Sequence, residues 1–352
     1  MLKVWAPPRW RLGSSAMVNK GRKIALPLLS LWLIVMLLCV IAVSLLTGFA
    51  DIDLNAAFAA LMFGESGTDA VILRYIRLPR TLMGILAGAS LGMSGAALQG
   101  LFRNPLADPG IIGISASAGL GAVVAIHFGI GQSFALAVPL LAMGAAAIST
   151  LILFAVALRD TSALTLILVG IGVSSLAVAL TSLVMNFSTN PFALNDMVLW
   201  LLGSLSNRSY TDIVLTGPFI VAGMLLILSC GSGLRVLSLG EAVAETMGVN
   251  MRGLRARVVL GSSLAVGACV AVCGTIGFVG LVAPHIVRPF VGSDPARVLW
   301  PSAIVGAIIV TLADILVRTI PSGHEIKLGV LTSLVGAPFF LLLVVRTRRS
   351  MR

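Results

Sequence analysis

Apolar runs approaching the ~20 residues that a helix needs to cross a bilayer core of about 30 Å recur along the whole of this chain. Read between polar breaks there are ten, near residues 25–48, 81–102, 111–128, 134–157, 163–186, 212–231, 257–273, 277–291, 299–318 and 328–345. The seventh and eighth are short and nearly continuous with each other. A soluble chain with a large core would alternate apolar and polar residues more often. The expected fold is therefore all-α: a polytopic membrane protein of about ten transmembrane helices. Composition agrees, with 58% hydrophobic residues, 11% charged residues and a mean hydropathy of +1.07.

Residues 1–24 form a basic tail carrying Lys3, Arg9, Arg11, Lys20, Arg22 and Lys23. The uncharged run from Ile24 to Ala50 that follows exceeds the 7–15 residues of a signal-peptide core and reads as an uncleaved first span. The membrane domain is expected over 25–345, with a second basic tail at 346–352. If the N-terminus is cytoplasmic, eighteen Lys and Arg fall inside and six outside. The positive-inside rule favours that orientation, with both termini cytoplasmic. It also accounts for the net charge of +11 as topology rather than nucleic-acid binding.

The chain repeats itself weakly. "GASLGMSGAALQGLFRNP" begins at Gly88, and "GACVAVCGTIGFVGLVAP" begins at Gly267. The two copies fall on the second and seventh spans. An offset of five crossings is odd, so the pattern predicts two inverted five-helix repeats, about 25–186 and 212–345, an architecture common in transport proteins. In the first copy Gly84, Gly88, Gly92 and Gly95 mark one helix face, where small residues let membrane helices pack closely.

The charges that break the pattern are informative. "RYIRLPR" places Arg74, Arg77 and Arg80 on the outside, and Arg318 ends the ninth span one turn beyond Asp314, a spacing that predicts a local ion pair. No chain of buried acids and histidines accompanies them, which weighs against an ion-gradient-driven secondary carrier. None of Lys3, Lys20, Lys23 and Lys327 follows a glycine, so no G-x-x-x-x-G-K-[ST] nucleotide loop exists. The chain is expected to be a transport subunit and not an enzyme, with energy supplied by a partner. Cys39, Cys230, Cys269 and Cys273 read as small apolar packing residues. No cofactor or metal site is expected.

Between the sixth and seventh spans, "SLGEAVAETMGVNMRGLRAR" (238–257) predicts a short helix. Ser238 and Glu241 have capping-box spacing, Glu241 and Glu245 share a face, Val243 and Met247 share another, and Gly248 supplies a stop. Such an apolar stripe can lie on lipid or enter a groove of another protein.

Several stretches resemble the FecCD-type permeases of type II ABC importers: "IRLPRTLMGILAGASLGMSGAALQGLFRNPLADPGIIGIS", "LGEAVAETMGV", "GTIGFVGLVAPHIVR" and "LADILVRTIPSGHEIKLGVLTSLVGAPFFLLLV". The resemblance spans nearly all of the chain after residue 70. It implies ten spans per subunit, a translocation path between two permease subunits (here expected as a homodimer), two cytoplasmic ATPase subunits and a periplasmic or lipid-anchored substrate-binding protein. It also implies a bacterial inner-membrane location and a metal-chelate substrate, ferric siderophore first, with haem and cobalamin as alternatives. By motif, Arg77, Arg80, Arg318 and Glu325 would receive the binding protein, with lipid-headgroup anchoring as the other reading of the arginines. Gly240, Glu241, Ala244, Met247 and Gly248 would seat in the ATPase. The chain departs from the family at Lys327, where a proline is usual. His324, next to Glu325, reads as a solvated loop residue rather than a haem ligand, and His285 fits the motif without an evident role.

Overall fold

A computed structural model describes residues 26–48, 67–159, 162–320 and 325–350. A helix stands at each of the ten expected places: α1 (Leu26–Leu46), α2 (Thr68–Leu101), α3 (Ile114–His127), α4 (Ala137–Arg159), α5 (Ala163–Asn186), α7 (Tyr210–Ser229), α10 (Met251–Cys273), α11 (Val279–Val291), α12 (Pro295–Thr319) and α13 (Leu328–Ser350). Seven are long and apolar enough to cross a membrane, and α3, α11 and the apolar part of α13 are shorter. No strand occurs among the described residues. Among the shorter helices that join them are α6 (Pro191–Leu201), α8 (Gly231–Leu237) and α9 (Glu241–Thr246).

The largest departure from the hydropathy reading is the start of α2, which lies well before residue 81. The polar heptad "RYIRLPR" breaks the apolar run but not the helix. Ile72–Arg77 is a π-helical stretch, and Pro79 follows after Leu78. A proline inside a regular helix clashes with the carbonyl four residues back; a wider turn placed just ahead of it opens the ladder. α6 escapes a reading by apolar spans because it is eleven residues long and carries Asn195 and Asp196 in its middle. It forms because Asn190 accepts hydrogen bonds from the Phe192 and Ala193 amides and Pro191 presets the first turn.

The core is built on α2, α10 and α12, which are mostly buried, whereas α1 and α5 leave most of their residues outside it. α2 lies against α12 with almost no side chains between them. A Cβ at Gly88 would stand 2.2 Å from the Gly306 carbonyl oxygen, and one at Gly92 would stand 2.1 Å from that of Ser302. The glycine face of α2 is thus a backbone-to-backbone seam, the packing that small residues permit between membrane helices.

Packing also carries the internal repeat. α2 on α12 corresponds to α10 on α4; α3 on α10 to α11 on α2; α3 on α4 to α11 on α12; and α3 on α5 to α11 on α13. The correspondence breaks at the first helix of each half: α1 packs on α12, but α7 lies against α10. Gln99 ties the two halves together at one end. Its amide nitrogen donates to the carbonyls of Ala107 and Gly280, and its oxygen accepts from Arg288 at 2.5 Å.

The turn before α13 forms without the proline usual at position 327. The Lys327 carbonyl accepts from the amides of Val330 and Leu331 and so starts the helix. His285 packs edge-on against Phe339 of α13, His127 is the last residue of α3, and His324 lies outside the described residues.

Candidate functional site

Charged residues gather at one end of the bundle. Asp314 and Arg318, one turn apart on α12, form the expected ion pair at 3.0 Å. Arg80 reaches across from α2 and grips the same carboxylate with its fork: Nε donates to Oδ1 at 3.0 Å and to Oδ2 at 3.1 Å, and Nη2 donates to Oδ1 at 2.8 Å. Asp314 is 1% exposed, so one buried carboxylate is shared by two guanidinium groups. Arg80 Nη2 also bonds Glu325, whose other oxygen accepts from Ser206 Oγ. Five segments therefore meet here: the end of α1, the start of α2, the loop after α6, the end of α12 and the approach to α13.

The end of α1 explains the rest. The last carbonyls of a helix have no partner within it and carry the negative end of the helix dipole. Arg77 Nη1 donates to the Leu45 carbonyl at 2.8 Å and to the Leu46 carbonyl at 2.6 Å. Arg318 Nη1 donates to the carbonyls of Ser44 and Thr47, each at 3.1 Å, and its Nη2 donates to Ser44 Oγ at 2.7 Å. Ser44 in turn shares a 2.7 Å hydrogen bond with Thr81. The same logic holds at the end of α10, where Arg208 donates to the Val272 carbonyl at 2.6 Å. Arg77, Arg80, Arg208 and Arg318 are thus engaged by helix C-termini and carboxylates.

Arg77, Arg80, Arg318 and Glu325, expected on an open rim, do come together, but they face inward. Arg77 and Arg318 are 3% and 5% exposed, and Arg80 and Glu325 are only partly accessible. Sequence spacing pointed to Asp314; nothing in the sequence marked Ser44, Thr81 or Ser206, whose roles depend on contacts far along the chain. Burial alone would raise the Glu325 carboxyl, but hydrogen bonds from Ser206 and Arg80 and the charges of Arg80 and Lys327 outweigh it and hold the carboxyl below its ordinary value. With its folded value depressed, what Glu325 contributes is present above the unfolded carboxylate value and is lost as pH falls through the folded one.

At the other end, between α8 and α10, sits α9. Gly240 precedes it at φ 120°, a conformation open to glycine, and Gly248 closes it at φ 82°. Val249 N–H bonds the Ala244 carbonyl and Gly248 N–H that of Glu245, the Schellman pattern of a helix stop. The capping box expected from Ser238 does not form: Ser238 ends the preceding turn and its hydroxyl bonds the Arg235 carbonyl, so Gly240 takes the N-cap position. Of the residues expected to seat in a partner, Met247 is 61% exposed, and Leu239 and Val243 stand exposed beside it. Ala244 points inward and is fully buried, and Glu241 is drawn to Arg255 of α10. The exposed knob therefore presents Leu239, Val243 and Met247 beside Glu245, while Ala244 and the Glu241–Arg255 bond hold it to the bundle.

Relatives are extensive. The sequence model of the FecCD transport family matches residues 34–346. The chain is 38% identical over 329 residues to the uncharacterised ABC transporter permease protein YvrB of Bacillus subtilis (strain 168), covering 89% of this chain and 93% of that protein. It is 35% identical over 319 residues to the hemin transport system permease protein HmuU of Yersinia pestis, covering 89% and 95%. A solved structure described as an inward-facing conformation of a metal-chelate type ABC transporter superposes with a TM-score of 0.76 at 33% identity, covering 91% of this chain and 99% of that one. The chain therefore belongs to the FecCD transport family and is the membrane-spanning permease subunit of an ABC importer, a subunit that leaves ATP hydrolysis to a separate one.

Proposed function

We propose that this permease passes a metal chelate, ferric siderophore first and haem or cobalamin as alternatives, from a binding protein on the outer face of a bacterial inner membrane into the cytoplasm. Two copies of the chain enclose the path, and α9 of each seats in one of two ATPase subunits. The observation that carries this reading is the exposure of Leu239, Val243 and Met247 around a six-residue helix flanked by polar segments. Three large apolar side chains held outward at one end of the bundle are suited to a groove on a partner. The relatives named for hemin and Fe(3+)-citrate transport support an iron chelate. A groove of about 730 Å³ beside α13, lined by small residues such as Thr275, Gly277, Ser333 and Ala337, supports a path along that face.

The test is reconstitution with the neighbouring ATPase and binding protein. Uptake of ferric siderophore should require ATP, and Val243→Asp with Met247→Asp should release the ATPase and abolish uptake. Gradient-driven uptake by the chain alone would refute the proposal; ATP-driven uptake of haem or cobalamin in place of siderophore would correct the substrate only.

At the opposite end we place the binding protein over Arg80 and Glu325, the reachable part of the charge cluster, with Arg77 and Arg318 holding the scaffold beneath. An incoming carboxylate would compete with Glu325 for the Arg80 fork. Glu325→Gln should then tighten docking by up to about tenfold, roughly the worth of one charge-assisted hydrogen bond. Unchanged or weaker docking in a surface-binding assay would count against this placement.

A further inference from the structure

α10 opens with "MRGLRARV", three arginines within its first two turns. Arg252 and Arg257 are exposed, as arginines at a helix start normally are. Arg255 is not. It is 1% exposed, the largest fully buried side chain among the described residues, and it lies on the same inward face as Met251, Leu254 and Val258. A buried guanidinium carries a heavy desolvation cost and requires an anionic partner. That partner is Glu241, the first residue of α9, which bonds Arg255 Nη2. Nη1, the other arm of the fork, is buried and makes no hydrogen bond among the described residues.

The surroundings give this pair a mechanical role. α9 hangs between two glycine joints, Gly240 and Gly248, both at positive φ, and a Cβ at Gly248 would meet nothing within 4 Å. Packing on α8, the buried Ala244 methyl and the Glu241–Arg255 bond hold it on the bundle. α10, to which Arg255 belongs, runs through the core against α2, α4 and α7. A push on α9 therefore reaches the core through the short 247–250 link, through the Ala244 packing and through one charged strut, the Glu241–Arg255 bond. An arginine suits such a strut, because its rigid planar fork offers a second arm to the same carboxylate when the helix shifts.

We propose that Glu241–Arg255 is the linkage that passes movement of α9 to α10, with Arg255 a positioning residue for transport. This rests on the reading of α9 as the ATPase seat, and the experiment keeps the two apart. The complete transporter, permease with ATPase and binding protein, is reconstituted in proteoliposomes, and ATPase retention, ATP hydrolysis and substrate taken up per ATP are measured. Arg255→Lys keeps the charge but loses the fork; Glu241→Gln changes only the partly exposed partner. Both should retain the ATPase and hydrolyse ATP, while uptake per ATP falls about tenfold, a coupling loss of ordinary size. The exchange of Glu241→Arg with Arg255→Glu should recover part of it. Uptake per ATP equal to the parent in both single variants overturns the proposal. So does loss of assembly in Glu241→Gln, which would make the pair structural cement alone. Retention of a working ATPase by the Val243→Asp, Met247→Asp variant would instead refute the seat, whatever the pair does.

Discussion

Asp314→Ala is expected to cost about 3–5 kcal/mol of stability, because it leaves the guanidinium groups of Arg80 and Arg318 buried beside a carboxylate that is gone. The loss is not the worth of the ion pair itself, which burial largely cancels. It is the cost of uncompensated charge, greatest at Arg318, which backbone bonds stop from turning to water, and smaller at Arg80, which keeps Glu325. Asp314→Asn keeps an acceptor and should fall between the parent and the alanine variant. Thermal unfolding of the purified protein in detergent would show the order parent, Asn, Ala. Equal stability of all three would mean that the cluster is solvated.

The second large effect is expected at the α2–α12 seam. Gly88→Val must place a branched side chain where the first carbon already stands 2.2 Å from a peptide oxygen, so the two helices have to separate. Overpacking of this kind costs about 1–3 kcal/mol in ordinary cores. Here the obstruction is backbone and cannot rotate away, which puts the effect at the upper end or beyond. Gly144→Ala in α4, with nothing within 4 Å of the added carbon, is the internal control and should be neutral or slightly stabilising. The yield of monodisperse protein and its melting temperature separate the two; a Gly88→Val variant as stable as the control would show that the seam is looser than drawn.

How much of this was legible in the sequence follows from the range of each interaction. The ten helices could be read because hydropathy is local and the bilayer demands it. The Asp314–Arg318 pair could be read because a helix brings residues four apart together. The start of α2 could not, since charge was taken for an interruption when the helix passes through it as a π-helical stretch. The inward turn of Arg77 depended on where α1 ends, more than thirty residues away in the chain. At α9 the spacing of Ser238 and Glu241 fitted a cap, but the Gly240 conformation moved the helix start and left Glu241 to answer a buried arginine that no local pattern announces.

The seam between α2 and α12 has a consequence for gating. Two helices whose backbones meet at Gly88 against Gly306 and Gly92 against Ser302, with no room for a side chain between them, have little freedom to slide along one another. They act as a keel. Opening and closing are then expected outboard, on helices such as α5 and α13 that face their surroundings through flexible side chains, since Arg77 and Arg318 tie α1 to the keel. The work of the cycle is accordingly done against acyl chains, so the stiffness and thickness of the host bilayer should set the pace of the pump.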